Sequence, residues 1–234
     1  MYNSSSNDKS LNNITLLILI ACIIILLYNK IKFTNLFNVG FDMSGGDEIK
    51  KITYYCVVDN LNDADDYSVS ADDNKIANEI EFADEVENIL NRSRWGDKYN
   101  IIRVDDPDKA IVKIHLSGRS SLDKFHDNPE YYSNGKQIRF SITTQSKFSK
   151  PEIFIDADNW HYGVDESGLS VNLYREYVIN HEFGHALGYD HAECVKKLCP
   201  VMYQMTRGVP EGHTPNYQVK AEDYKNRIIN RYIK

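Results

Sequence analysis

The chain is short of basic residues. Its 27 lysines and arginines stand against 34 aspartates and glutamates, which gives a net charge of −7 over 234 residues. A protein that mainly binds nucleic acid needs a basic surface for the phosphates, so this balance argues against that class of partner. The sequence also contains no internal repeats and no low-complexity blocks.

Cysteine is scarce, and four cysteines do not make a disulfide-rich scaffold. Cys22 lies in an apolar run, and Cys56 lies in a predicted strand as a small buried hydrophobic residue. Cys194 and Cys199 are close together in the sequence and bridge if the domain faces an oxidising compartment. Free thiols are the alternative, and the sequence leaves both open.

A single long apolar run, Leu11–Tyr28, carries no charge from Ile14 onward. As a helix its eighteen residues span roughly 27 Å, close to the hydrocarbon core of a bilayer at about 30 Å. A small-x-small cleavage site is missing, which favours an uncleaved anchor over a signal peptide. We therefore predict a single-pass membrane protein with a disordered N-terminus at 1–10 and a linker at 29–50. The flanking lysines slightly favour a cytoplasmic domain and two glycosylation sequons point the other way, so the side of the membrane stays open.

Residues 51–234 carry the patterns of an α/β domain of the α+β type, a small twisted mixed sheet with two long helices. The predicted strands are rich in β-branched and aromatic residues: Ile52–Val58, Asn100–Val104, Ala110–Leu116, Gln137–Thr143 and Glu152–Ala157. The predicted helices are Ile76–Arg92, one from an Asn172 N-cap to about Leu187, and a final one over Val219–Lys234, with a loop at Asp158–Leu169.

Three of the chain's seven histidines stand in one stretch, HEFGHALGYDH, at His181, His185 and His191. Positions four apart lie on one face of a helix, so the first two imidazoles are directed at a common point. Gly188 is where the helix ends, since glycine accepts the left-handed conformation that reverses the chain. His191 then returns as a third ligand.

Three neutral imidazoles suit zinc and leave a fourth position for water, which is the arrangement of a catalytic rather than a structural site. Glu182 lies beside that position and acts as general base toward a zinc-activated water. Three histidines, a glutamate and a glycine in register form a strong signal, whereas a bare HExxH would be weak. Ordinary histidines on a helix face are the plainer alternative. The chain's other histidines have no partners at ligand spacing: His115, His126, His161 and His213.

The stretch HEFGHALG followed by His191 resembles the zinc signature of the metzincin metallopeptidases, and its first eight residues read as in matrixins. Cys199-Pro200-Val201-Met202-Tyr203 resembles the metzincin methionine turn, with Met202 as the apolar floor under the imidazoles. The wider stretch Leu173–Met202 is similar to an uncharacterised, metzincin-like family of bacterial secreted proteins. The resemblance covers about residues 52–218 and is strong in the last third.

This resemblance implies a metzincin-like fold with the zinc site on the second helix. It also implies a zinc metalloendopeptidase, here joined to the predicted membrane anchor, that binds an extended protein or peptide along an edge strand, either Gln137–Thr143 or Glu152–Ala157. Tyr203 is a weak candidate for holding the oxyanion. A calcium ion near Asp156, Asp158 and Asp165 is weakly suggested, and a polar loop accounts for these residues more simply. The matrixin propeptide switch and calcium loops are not recognisable, and the oligomeric state stays open.

The rival interpretation is a membrane-tethered binding or structural module, with zinc stabilising a catalytically silent scaffold. Glu182 discriminates between the two, because a structural site has no need of a carboxylate beside an open position.

Overall fold

The computed structural model describes residues 49–59, 61, 73–126, 132–133, 136–137, 140–144 and 149–224. The predicted N-terminus, the predicted anchor Leu11–Tyr28 and nearly all of the predicted linker lie outside these ranges. Within the described ranges, no helix has the length and apolarity needed to cross a membrane.

Strands and α-helices are interspersed along the described part of the chain. They are β1 (Lys50–Val58), α1 (Asp73–Arg92), β2 (Tyr99–Arg103), β3 (Val112–Ser117), α2 (Arg119–His126), β4 (Tyr132–Ser133), β5 (Lys136–Gln137), β6 (Ile142–Thr144), β7 (Glu152–Asp156), α3 (Ala157–Tyr162) and α4 (Val171–Ala186).

The main sheet has five strands in the order β2-β1-β3-β7-β6. The first four run parallel, and β6 pairs antiparallel with β7. This is the mixed sheet that the sequence predicts. Because β6 is the last strand in this order, its outer side faces away from the sheet and lies beside the metal centre described below.

The inner strands have one face in the core. In β3 the buried side chains of Val112, Ile114 and Leu116 alternate with the half-buried Lys113 and His115. Successive side chains of a strand point to opposite faces, so the alternation directs three aliphatic residues at the helices.

Helix α1 packs against β1 and α4 through a stripe that includes Phe82, Val86 and Ile89. Their spacing places them on one face of a helix of period 3.6. Ile80 is an apolar residue at helical spacing in this sequence, but its side chain is 55% exposed. The helix ends at Arg92, before a short 3₁₀ turn at Arg94–Asp97 that buries Trp95.

Helix α4 is the central helix of the domain, and its second half is buried nearly all round. It begins two residues earlier than predicted, because its N-cap is Ser170 rather than Asn172. The first helical hydrogen bond runs from Tyr174 N to the carbonyl of Ser170. A helix enclosed by the core holds its side chains in fixed positions, which suits a binding site.

Three predicted boundaries differ from the structure. Of Gln137–Thr143, only Ile142 and Thr143 lie in the main sheet, and β5 instead pairs with β4 as a small ribbon. The predicted loop after β7 contains α3, because Asp156 N-caps it by accepting a hydrogen bond from Asn159 N at 2.8 Å. The predicted final helix is described only as a 3₁₀ turn at Ala221–Tyr224, and residues 225–234 lie outside the described ranges.

Candidate metal centre

The end of α4 turns the chain sharply, as the sequence predicts. Gly188 has a φ of 88°, in the left-handed region that favours glycine. Tyr189 N donates to the carbonyl of Gly184 at 2.9 Å, and Gly188 N donates to that of His185 at 2.8 Å. This pair of bonds is a Schellman motif, which satisfies the last carbonyls of the helix and starts the chain back toward it.

The turn brings the three predicted histidines together. Nitrogen atoms of His181, His185 and His191 lie within 4.8 Å of one another, and these residues can hold a metal ion. Nε2 of His181 lies 3.1 Å from Nε2 of His185. His181 is buried, His185 is half-buried and His191 lies at the exposed rim, so the centre opens to solvent on the His191 side.

Backbone carbonyls orient two of the imidazoles. His181 Nδ1 lies 2.8 Å from the carbonyl of Val201, and His185 Nδ1 lies 2.8 Å from that of Tyr189. A carbonyl oxygen accepts a hydrogen bond and cannot donate one. Nδ1 therefore carries the hydrogen in each ring, and Nε2 presents its lone pair. Two lone pairs 3.1 Å apart repel unless a cation lies between them. This pattern is typical of metal-ligating histidines.

The imidazoles are also held neutral. Burial lowers the pKa of His185 to about 4, helped by the charge of His191. Burial lowers the pKa of His181 well below its ordinary value, and the charges of His185 and His191 add to the effect. The pKa of His191 is lowered by partial burial and by the Arg207 guanidinium, against the opposing effect of Asp190. Neutral imidazole is the form that binds a metal.

Glu182 lies beside this cluster, and its side chain is only 4% exposed. Burial raises the pKa of its carboxyl to about 7, against the lowering effect of a hydrogen bond from Thr143. Thr143 Oγ1 lies 2.6 Å from Glu182 Oε2 and 2.9 Å from the Glu182 carbonyl oxygen. A carboxyl group with a pKa near neutrality can both accept and return a proton.

Met202 lies in a tight turn that follows the third histidine, where Tyr203 N donates to the carbonyl of Pro200 at 3.0 Å. The side chain of Met202 is fully buried. It packs so closely on α4 that a Cβ at Gly184 would lie 2.4 Å from the Met202 sulfur and 2.8 Å from the Trp95 ring. This close packing at Gly184 was not predicted from the sequence, although a glycine inside a predicted helix can indicate close packing.

Asp223 supports the same turn, a role that sequence reasoning did not identify. Its carboxylate accepts hydrogen bonds from Met202 N at 3.0 Å and Lys220 N at 2.7 Å. The side chain is 1% exposed. Because the carbonyl of Val201 orients His181, Asp223 supports the first ligand through the turn.

A disulfide joins Cys194 to Cys199, so of the two states that the sequence left open the structure has the bridged one. Cys56 is a free thiol. The bridge closes the loop between the third ligand and Met202, and Ala192 N donates to the Met202 carbonyl at 3.0 Å.

His185 and His191 line an open cleft of about 420 Å³, which we call the metal cleft. Its other lining residues are Phe140, Ser141, Ile142, Thr143, Glu182, Tyr189, Asp190, Gln204 and Arg207. Residues 140–143, which lead into β6, line the cleft together with Gln204 and Arg207. Among the described residues that follow Met202, Gln204 lines this cleft, and the predicted Tyr203 does not.

The three histidines are the one cluster of three or more potential ligands in the described part of the chain. Asp156, Asp158 and Asp165 form no such cluster there, because Asp156 is engaged as the N-cap of α3. His115 instead pairs with Asp59 at 3.1 Å and stacks on Phe154.

Comparison with known proteins places the site within a family. Residues 32–229 match the family described as "Protein of unknown function (DUF3152)". The matched range contains every residue of the metal cleft and excludes the predicted anchor at 11–28. No curated protein matches the chain.

Proposed function

The chain belongs to the DUF3152 family, and we propose that it is a membrane-anchored zinc metalloendopeptidase of metzincin-like fold. The observation that carries the proposal is a buried carboxyl group, Glu182, beside three imidazoles whose nitrogen atoms converge. A metal and a proton acceptor side by side are the two requirements for hydrolysis by an activated water.

His181, His185 and His191 would hold the ion. At a Zn–N distance of about 2.0–2.1 Å, tetrahedral ligands lie roughly 3.3 Å apart, and the 3.1 Å between the Nε2 atoms of His181 and His185 fits this spacing. Three nitrogen ligands also suit zinc better than calcium or magnesium, which take oxygen. When bound, zinc acidifies a water molecule and polarises a carbonyl oxygen.

Glu182 performs the proton transfers. Its carboxylate takes a proton from the water that attacks the peptide carbonyl and delivers that proton to the departing amine. Thr143 holds one carboxyl oxygen, Oε2, at 2.6 Å, which leaves the other oxygen for the water. The reaction needs no covalent intermediate with the protein.

The edge strand β6 supports an extended peptide as substrate. It pairs with β7 on one side, and the residues leading into it line the metal cleft. A peptide that adds to the outer side of β6 would continue the sheet and lie across the histidines. Of the two strands predicted for this role, Gln137–Thr143 is the one that supplies the edge, through Ile142 and Thr143.

The rival function is a binding or structural module with a silent metal site. Glu182 argues against it, because burying a carboxyl group is costly and a structural metal site gains nothing from it. The opening at the rim by His191 argues the same way, since a structural site is closed by a fourth ligand.

The test uses the full-length chain in detergent, as wild type, Glu182→Ala and the surface control Glu81→Ala. Bound metal is measured together with cleavage of a mixed peptide library. We expect one zinc per chain in all three and cleavage by wild type and the control, with a loss of roughly 10²–10⁴-fold in Glu182→Ala. Zinc without cleavage in the wild type would favour the binding module, and a folded wild type without zinc would contradict both.

The membrane anchor at Leu11–Tyr28 is tested separately. Protease treatment of intact membrane vesicles holding the full-length chain, before and after permeabilisation, reports on which side the domain lies. Release of the chain by a carbonate wash would contradict the anchor.

A further inference from the structure

Arg207 lies in the metal cleft at the end of the 3₁₀ turn Met205–Arg207. Its guanidinium lies 5.0 Å from the centroid of the Phe140 ring, which also lines the cleft. Phe140 is 2% exposed and therefore a fixed platform. A guanidinium over an aromatic face is held in place while its N–H groups remain available at the edge.

Arg207 differs from the other arginines whose side chains are described. Each of those forms an ion pair with a carboxylate: Arg92, Arg94, Arg103 and Arg175. Within the described ranges, no carboxylate lies within 4.0 Å of the Arg207 guanidinium. The one arginine that lines the cleft is thus also the one without an acidic neighbour at that distance there.

The carboxylates of the cleft are already engaged. Glu182 accepts from Thr143, and Asp190 Oδ1 accepts from His191 N at 2.8 Å. Arg207 and the third histidine, His191, line the same cleft. An anionic group entering the cleft between Phe140 and His191 would therefore meet a guanidinium that still has its fork of donors to offer.

We propose that Arg207 binds a carboxylate of the substrate, so that the peptides taken by this site are acidic close to the scissile bond. The proposal rests on the proposed peptidase function. Thr143 is three positions after Phe140, a distance of at most about 11 Å along the chain. For a peptide paired with β6, the carboxylate therefore belongs to a residue within about three positions of the bond that is cut.

Two sources can supply this carboxylate, an Asp or Glu side chain or the free C-terminus of the peptide. Sets of four matched peptides separate them, one set for each position flanking the scissile bond. Within a set, that position holds Glu or Gln, and the peptide ends in a free carboxylate or an amide.

The full-length, zinc-loaded chain is measured as wild type, Arg207→Gln, Arg207→Lys and the control Lys109→Gln. Lys109 is 74% exposed on a distant turn, so the control removes the same charge outside the cleft. The readout is the ratio of kcat/KM between acidic and neutral peptides. We expect a ratio of roughly tenfold in the wild type and the control, near unity in Arg207→Gln and largely restored in Arg207→Lys.

Binding to Glu182→Ala, with and without Arg207→Gln, gives a readout that needs no cleavage. Tighter binding of acidic peptides that depends on Arg207 supports the proposal even if the wild type cuts nothing, which would count against the peptidase function alone. Cleavage of acidic and neutral peptides at equal rates would overturn the proposal and leave the peptidase function standing. The proposal would also be overturned if Arg207→Gln left the preference for acidic peptides unchanged in both cleavage and binding. A preference for the free C-terminus over the amide would assign the carboxylate to the end of the chain.

Discussion

Thr143 of the edge strand donates a hydrogen bond to Glu182 of the central helix, with 2.6 Å between Oγ1 and Oε2. The strand proposed to bind substrate is thus linked directly to the proposed general base. The two residues are 39 positions apart in the sequence. Placement of the peptide and placement of the proton acceptor depend on one contact.

Replacing Thr143 with valine removes this bond without changing the shape of the side chain. We expect kcat/KM for peptide cleavage to fall by about 10–100-fold with zinc content unchanged, because partners of this kind tune a metal site rather than form it. Thr144→Val is the matched control, since the Thr144 hydroxyl bonds to Glu152 of β7 instead. Equal losses in the two variants would show that the strand, not the bond, matters.

Gly184→Ala should destabilise the domain. The added Cβ would lie 2.4 Å from the Met202 sulfur and 2.8 Å from the Trp95 ring, so the core under the histidines has to shift. Overpacking of this kind costs about 1–3 kcal/mol, which thermal or urea unfolding measures. Gly96→Ala is the control, because a Cβ there meets nothing within 4 Å. A Gly184→Ala variant as stable as the wild type would mean that Met202 is free to move aside.

Removing the disulfide should loosen the loop that follows His191. For a loop this short, loss of the Cys194–Cys199 bridge in a double alanine variant costs about 2 kcal/mol of unfolding free energy. We also expect a weaker zinc affinity, because the loop joins the third ligand to the methionine turn. Competition with a zinc chelator measures this, and Cys56→Ala serves as the control. Intact mass after alkylation, with and without reduction, checks the bridge itself.

The buried Asp223 predicts a pH dependence of stability. Burial raises its pKa from 3.8 to about 6, so the folded state binds this proton more tightly than the unfolded state does. The resulting stabilisation is fully present below pH 3.8 and is lost as the pH rises through about 6. Between pH 4 and 7 the unfolding free energy of the wild type should therefore fall relative to that of Asp223→Asn, by at most about 3 kcal/mol. Parallel curves for the two chains would contradict the shift.

The local parts of the site could be predicted from the sequence because their signals are local. The spacing of His181 and His185 follows from the helical period, and the left-handed Gly188 follows from the chemistry of helix ends. The strand β3 and the stripe of α1 follow from alternation and from the 3.6 period. The side chain of Ile80 shows the limit of such reasoning, since an apolar residue beside a stripe can still face solvent.

The remaining parts depend on contacts between residues distant in the sequence. Nothing near Thr143 or Asp223 indicates that they support Glu182 and Met202, because each contact spans at least 20 residues. The helix α3 was missed because its signal, Asp156 as an N-cap, lies at the end of a predicted strand. Asp156 also entered the calcium suggestion, because a carboxylate that caps a helix and one that binds a cation look the same in the sequence.

The described segment from Gly188 to Tyr224 contains no α-helix and no strand. Its regular structure is limited to short 3₁₀ turns and isolated bridges. It is held by the disulfide, by side chains that accept backbone N–H groups and by contacts with α4. Such a segment has few local bonds to resist opening, and it supplies His191 and the carbonyl that orients His181. We therefore expect binding of the proposed metal ion to stabilise the whole segment at once. Amide hydrogen exchange should slow across the whole segment when the ion binds, while the sheet changes little.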